Sequence, residues 1–353
     1  MKTSTFYAFA GLTAAAVVAA VVAVTSQTGT TSLTAGTEPA FPKLAAAPND
    51  VAKVEIKTAK ADFSVSRKGD DWGLDQKDGY LVEFEKIKSA IVGLANFKLI
   101  EKKTSDPSRY DRLDLGPVDG PTAKSRHIVL KNAKGEVLAD AYMGRVNPNL
   151  FGTGGAGTYI RRGDDKATWL ARGQIAIGDD PNMWMVRQIV NYGQETVEKV
   201  SVKHPDGAEV FISKAKKEER NFTLANIPAG RKIKGADDVN PLGGVMWRMM
   251  FDDVTLASKQ DWPKEVWVSH YTTWDGVTVR IEVAKIGTDY WGRFSAAVAD
   301  GVADPAAKET AQKVVDDIAA RTKGWSYMLT AGDAEKLTAK IDFYLADPKK
   351  EGS

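Results

Sequence analysis

From Val51 the chain is written in short alternating runs. "VAKVEIKT", "DFSVSR" and "DDWGLDQ" place an apolar residue at every second position, the period of half-buried strands, and Gly69-Asp70-Asp71 supplies a turn between them. The period then changes. Phe84, Ile87, Ile91 and Leu94 recur at steps of three and four, which predicts an amphipathic helix with Phe97 and Leu99 following it. Farther on the same order returns as "VEKVSVKH", "EVFISK", "NFTLANI" and "GGVMWRMMFDDVTLASK". Val54 then matches Val200, Val65 matches Ile212, Leu74 matches Leu224 and Leu94 matches Phe251. The spacing lengthens only across turn-like stretches such as "KAKKEER", which is where insertions belong in a true repeat.

Both repeats end in further strands. The first has "RHIVLKN", "VLADAYMG", "GTYIRR" and "KATWLA"; the second has "VWVSHYTT", "VTVRIEVA" and "DYWGRFSAAV". Asp275-Gly276 between alternating runs is a strong hairpin signal. The second repeat adds a helix that the first lacks, with Asp304 as N-cap, Pro305 at its first position, Val314, Val315 and Ile318 facing inward and Gly324 closing it. A last helix is predicted near Asp333, burying Leu337, Ile341, Tyr344 and Leu345. By the same reasoning "MWRMMF", residues 246–251, is expected to be helix core. The expected fold is therefore α+β: two repeated units, 51–195 and 196–347, each a mainly antiparallel sheet with a helix packed on one face. Residues 348–353 are a tail.

The start of the chain is different in kind. After Lys2 there is no charge from Thr3 to Thr37, and "FYAFAGLTAAAVVAAVVAV" is apolar on every face. Nineteen residues at ~1.5 Å each reach about 28 Å, close to a bilayer's hydrocarbon thickness. The run is longer than a signal-peptide core, and "AVTSQT" is a poor cleavage site, so residues 1–26 read as an uncleaved membrane anchor rather than a signal sequence. Lys2 on the short side places the bulk of the chain outside the cytoplasm, on a bacterial inner membrane. Residues 27–50, rich in Thr, Ala and Pro, read as a flexible linker.

Composition then narrows the chemistry. A hydrophobic content of 43% and a charged content of 27% suit a globular chain, and a net charge of +2 gives nucleic acid no electrostatic attraction. The absence of cysteine removes disulfides, thiolate metal sites and thiol nucleophiles. His127, His204 and His270 share no metal-binding spacing and read as strand or surface histidines without partners. The acidic pairs Asp70-Asp71, Asp164-Asp165, Asp179-Asp180, Asp252-Asp253 and Asp316-Asp317 are better explained by turns and solvation than by acid–base catalysis.

Gly152, Gly154 and Gly157 have dinucleotide-fingerprint spacing, but Pro148 precedes them and a period-two hairpin follows, so a loop and no cofactor are expected. No serine has a nucleophile-elbow context, and no phosphate-binding loop of Walker type occurs. The one dense cluster is aromatic: Trp262, Trp267, Tyr271, Trp274, Tyr290 and Trp291. It could form a recognition surface for glycan or peptide, although Trp267 and Tyr271 share one strand face, as sheet core residues do.

The quoted strands and helix, with "SRYDRLDLG", "GTYIRRGDDKATWLARG" and "PNMWMVRQIVNYGQETVEKVSV", resemble the DUF4340 family over roughly Val51 to Leu345. Trp184, Arg187, Ile189 and Val190 leading into "VEKVSV" carry the resemblance furthest; Arg112 departs from it, standing where the family pattern has glycine. The resemblance implies an N-terminal anchor, an extracytoplasmic repeat region and, for some members, a link to ABC transport systems of the gliding-motility type. It implies no catalytic residues. The expectation is a membrane-anchored accessory or binding protein of an envelope complex, with protein partners of the ABC-transporter type. An envelope enzyme or a glycan- or peptide-binding protein, working in a cleft between the two units, is the alternative.

Overall fold

The computed structural model describes residues 38–347 except 121–122, 154 and 164. The expected anchor at residues 1–26 and the tail at 348–353 lie outside the described residues. Among those described, no helix is long and apolar enough to cross a membrane.

The first unit forms a nine-stranded antiparallel sheet. In chain order its strands are β1 (Val51–Lys57), β2 (Asp62–Lys68), β3 (Asp71–Leu74), β4 (Tyr80–Leu81), β5 (Lys98–Lys102), β6 (Arg126–Asn132), β7 (Val137–Asn147), β8 (Gly157–Arg162) and β9 (Thr168–Arg172). Their order across the sheet is β4-β3-β2-β1-β6-β7-β8-β9-β5. The second unit contributes β10 (Gln188–Val190), β11 (Val197–Lys203), β12 (Glu209–Ser213), β13 (Thr223–Leu224), β14 (Met249–Leu256), β15 (Trp267–Thr273), β16 (Val277–Ile286), β17 (Asp289–Val298) and β18 (Trp325–Leu329). These order as β13-β12-β11-β15-β16-β17-β18-β14-β10. Strand for strand, β3-β2-β1-β6-β7-β8-β9-β5 reappears as β13-β12-β11-β15-β16-β17-β18-β14. The repeat holds, and with it the two-sheet α+β fold.

The register is repeated too. Val54 pairs with Val65 and Val65 with Leu74; Val200 pairs with Ile212 and Ile212 with Leu224. The first strand of each unit bulges at the same place, between Val51 and Lys53 and between Val197 and Lys199. A second shared bulge falls between Leu99 and Glu101 on β5 and between Phe251 and Asp253 on β14. Phe251 therefore corresponds to Leu99, not to Leu94.

That corrects the expected helix at 246–251. Only α3 (Asn240–Gly243) is helical there, and Met249–Leu256 is strand β14. Met249, Phe251 and Val254 are buried, while Met250 and Asp252 are exposed, an alternation that the run of methionines disguised. Arg248, held at φ +49°, ends any helical path into the strand.

The units consequently cover their sheets with non-equivalent helices. In the first, α2 (Phe84–Ala95) buries Ile87, Ala90, Ile91 and Leu94, while Phe84 stays exposed. In the second, α4 (Pro305–Thr322) packs on β16 and β17, capped by Asp304, whose side chain accepts from the Ala307 N–H. The last helix, α5, starts earlier than expected: Thr330 caps Ala331–Thr338, and Tyr344 and Leu345 are buried from a separate short turn.

The expected flexible linker at 27–50 is ordered in its second half. Ala40, Phe41 and Leu44 are buried, helix α1 (Pro42–Ala46) packs against α2, and Glu38 and Ala40 bond to Leu99 and Phe97 of the β5 edge. This edge segment mirrors β10 against β14. Fully burying side chains such as Phe41 and Leu44 stabilises by about 1.5–3 kcal/mol each, enough to hold a short segment that propensity alone would leave loose.

Candidate functional site

Where the two units meet, the first sheet's last strand is continued by the chain that leads into the second. The Glu83 N–H donates to Trp184 O (2.7 Å) and the Val186 N–H to Leu81 O (3.0 Å). Tyr80 crosses this seam. Its ring lies edge-on to Trp325 (4.9 Å), Phe251 (5.4 Å) and Tyr327 (6.1 Å), all in the second unit, and its hydroxyl donates to Val186 O. Burial pushes the Tyr80 hydroxyl up to about 12. Two ion pairs flank the plug, Lys77 with Asp253 and Lys259 with Asp78, each at 2.5 Å. Arg187 donates twice to Phe251 O. At this point the seam is filled with aromatic side chains.

Between these ion pairs several large apolar side chains stand exposed around the seam. Phe84 follows Glu83 at the junction, Met183 precedes Trp184, Met250 pairs with Gln188, and Trp247 stands on the turn leading into β14. These are four of the nine large apolar side chains that stand exposed among the described residues; Trp247, 64% exposed, is the most open of all. The turn that carries it is held by Arg248 N–H bonding to Asn191 Oδ1 and by Tyr192 N–H bonding to Met246 O. A rigidly held, solvent-facing tryptophan is the type of side chain that anchors protein interfaces.

The expected aromatic surface does not form as one platform. Tyr271 is fully buried, and its hydroxyl donates to Leu242 O. Trp267 and Tyr290 meet edge to face at 6.0 Å on the same inward side of the sheet. Trp291 points to the other side, where Trp262 lies under the Arg293 guanidinium at 3.9 Å. Trp274 sits beyond the end of β15, its backbone N–H donating to Thr196 O while its indole N–H is buried with no partner among the described residues. One sheet, two faces and a buried member divide a cluster that is contiguous only along the chain.

The histidines also differ from expectation, because two have partners. His127 lies 2.8 Å from Asp140 and stacks on Tyr142 at 4.1 Å. Arg161 packs on the same Tyr142 ring at 3.8 Å, so an imidazole, a phenol and a guanidinium form a cross-strand row over β6, β7 and β8. His204 is buried and accepts the Trp267 indole N–H; burial holds its pKa below the ordinary value. No cluster of metal-ligating side chains occurs among the described residues. Gly152 and Gly157 lie in and beside the β7–β8 hairpin connection, as a loop reading requires, and Gly154 lies outside the described residues.

One depression in the first unit is built rather than incidental. A cleft of about 490 Å³ is walled by the turn at Thr58–Lys60, the start of β6 and the end of β7. Gly144 floors it: a Cβ there would come within 2.2 Å of Leu113 O, so only glycine lets the 107–115 loop sit directly on β7. Ser125, buried, ties the loop down through Gly116 O at 2.6 Å.

Fold and surface together define a tandem-repeat α+β scaffold with exposed apolar side chains at its seam and a cleft in the first unit. Residues 72–242 match a family described as a domain of unknown function, DUF4340; the chain carries that domain, from β3 of the first unit across the seam to α3 of the second. No curated protein and no solved structure matches the chain.

Proposed function

We propose that the protein is a single-pass, membrane-anchored extracytoplasmic binding protein, an accessory of an envelope complex of the ABC-transporter type. The observation that carries this reading is the seam: Phe84, Met183, Trp247 and Met250 stand exposed around it, the first two within the span that matches the family and the last two just past its end. The apolar, uncharged run after Lys2 supports the anchor. The enzyme and glycan- or peptide-cleft alternative has less behind it, because aromatic packing fills the seam at Tyr80.

Affinity purification of the tagged full chain from bacterial membranes, followed by mass spectrometry, tests the reading. A transporter or envelope component is expected to co-purify, and Trp247→Ala with Met250→Ala is expected to lower its recovery at least fivefold without changing protein level. Recovery of no such component, or equal recovery with the double variant, would overturn it.

A further inference from the structure

The first-unit cleft has two chemically different halves. At one end Lys60, Lys124, Arg126 and Arg145 face only Asp114 and Asp179. Arg145 and Lys124 share Asp114, at 3.3 and 3.8 Å, and Arg126 pairs with Asp179 at 3.3 Å. Two positive charges are left over. In the adjoining depression Asp111 and Asp119 stand farther out, and Asp119 is engaged by Lys57 at 2.7 Å. Hydroxyl and backbone groups of the Thr58–Lys60 turn add polar lining.

At the other end the wall becomes apolar without a break. Arg126, Gly144 and Val146 border both this cleft and a groove of about 330 Å³ formed with Met143, Ile175 and Ile177. The groove's far wall is fixed in place, because Gly93 on α2 lets Ile175 approach where a Cβ would come within 2.1 Å of its methyl. Val146, 38% exposed, borders both openings at the end of a strand whose last buried residue is Met143.

We infer that this cleft and groove form a binding site for an anionic amphiphile, with its carboxylate or phosphate at Lys60, Lys124, Arg126 and Arg145 and its hydrocarbon chain along Val146, Ile175 and Ile177. Excess positive charge selects the head group, and forked guanidinium donors suit its paired oxygens. The fixed apolar wall removes the chain from water. Neither half requires the seam patch or the anchor. A free fatty acid and a phospholipid share this chemistry, and the experiment separates them.

The full-length protein is placed in phosphatidylcholine vesicles carrying a small fraction of a photoactivatable probe, irradiated and mapped by peptide mass spectrometry. Three probes share one diazirine-bearing chain: a fatty acid, a lysophosphatidic acid and a fatty alcohol. Adducts on residues 143–147 and 173–179 are expected from at least one anionic probe, at five or more times the level given by the alcohol. The anionic probe that labels identifies the source.

Lys60→Glu with Lys124→Glu, both exposed and free to change without unfolding the chain, should cut that labelling at least fivefold. Val146→Asp should do the same from the apolar end. No adducts on these two segments, equal labelling by the alcohol, or labelling unchanged in both variants would overturn the site. Adducts on residues 3–24 report the anchor separately, so failure of the site and failure of the anchored reading appear on different peptides.

Discussion

The repeat places two equivalent edges in one molecule, and only one of them is used to join units. At the seam, Leu81 and Glu83 pair with Val186 and Trp184, and Tyr80 donates to Val186 O. At the end of the second unit, Lys234 N–H donates to Tyr344 O (3.0 Å) and Ala346 N–H to Lys232 O (2.8 Å), bond for bond the same ladder. Arg231 occupies Tyr80's place and donates to Ala346 O, the counterpart of Val186 O. Even the exposed residue is kept: Met183 before Trp184 becomes Phe343 before Tyr344. An aromatic plug that enters a neighbouring core has been exchanged for a guanidinium paired with Asp342. Lys232 and Lys234 reinforce the change. Terminal repeats need a polar outer face, and charged residues on a sheet edge discourage further pairing. The same edge ladder is thus built once around an aromatic plug and once around a charged side chain.

The largest effect that could break this comparison is at Tyr80. Tyr80→Ala empties a socket between two units and should cost about 3–5 kcal/mol in urea unfolding, whereas Arg231→Ala should cost about 1 kcal/mol or less. Equal losses would mean that the two edges do the same job. Next is pH. The folded-state pKa of Tyr80, about 12, exceeds the unfolded value of about 10, so the folded state holds this proton more tightly. Its contribution is therefore complete below pH ~10 and is lost as pH rises through about 12, on the order of 2–3 kcal/mol. Alkaline unfolding followed by tyrosine absorbance should show this step, and Tyr80→Phe should diminish it.

Two smaller changes sharpen the contrast. The Tyr344 hydroxyl is buried at the terminal edge with no hydrogen-bond partner among the described residues, while Tyr80 has one. Tyr344→Phe should raise the thermal midpoint, with a gain of about 1 kcal/mol, whereas Tyr80→Phe should lower it. Lys77→Ala, which breaks the partly exposed pair with Asp253, should cost about 0.5–1 kcal/mol and lose most of that difference in high salt. A salt-independent loss there would point to packing by the lysine stem instead.

Much of the scaffold is legible in the sequence because period-two burial leaves a local trace. Val54, Val65 and Leu74 match Val200, Ile212 and Leu224 along the sequence, and in the folded units each set stands side by side across its sheet. Two errors have one physical cause: local pattern is degenerate when apolar residues are consecutive. "MWRMMF" fits a helix as well as a strand until Met250 is seen to face solvent. "EPAFPKL" looks like linker until Phe41 and Leu44 find a core to enter. The aromatic cluster failed as a platform for a related reason, since neighbours along the chain alternate across a sheet. The cleft left almost no trace, because its charges come from the turn after β1, the β6 and β7 ends and the coil after β9.

By itself, then, the sequence determined the two-unit α+β plan, the matching of equivalent strand positions between the units, the capped helix at Asp304 and the loop character of the glycine motif. Each rests on interactions between residues close along the chain, or on a periodicity that survives without neighbours. Only the tertiary structure decided that Tyr80 plugs one unit into the next while Arg231 closes the end. It alone brought four cations and an apolar groove together around Gly144. Those outcomes depend on which distant segments share a boundary, and burial across such a boundary is a property of the assembled surfaces rather than of any one stretch of chain.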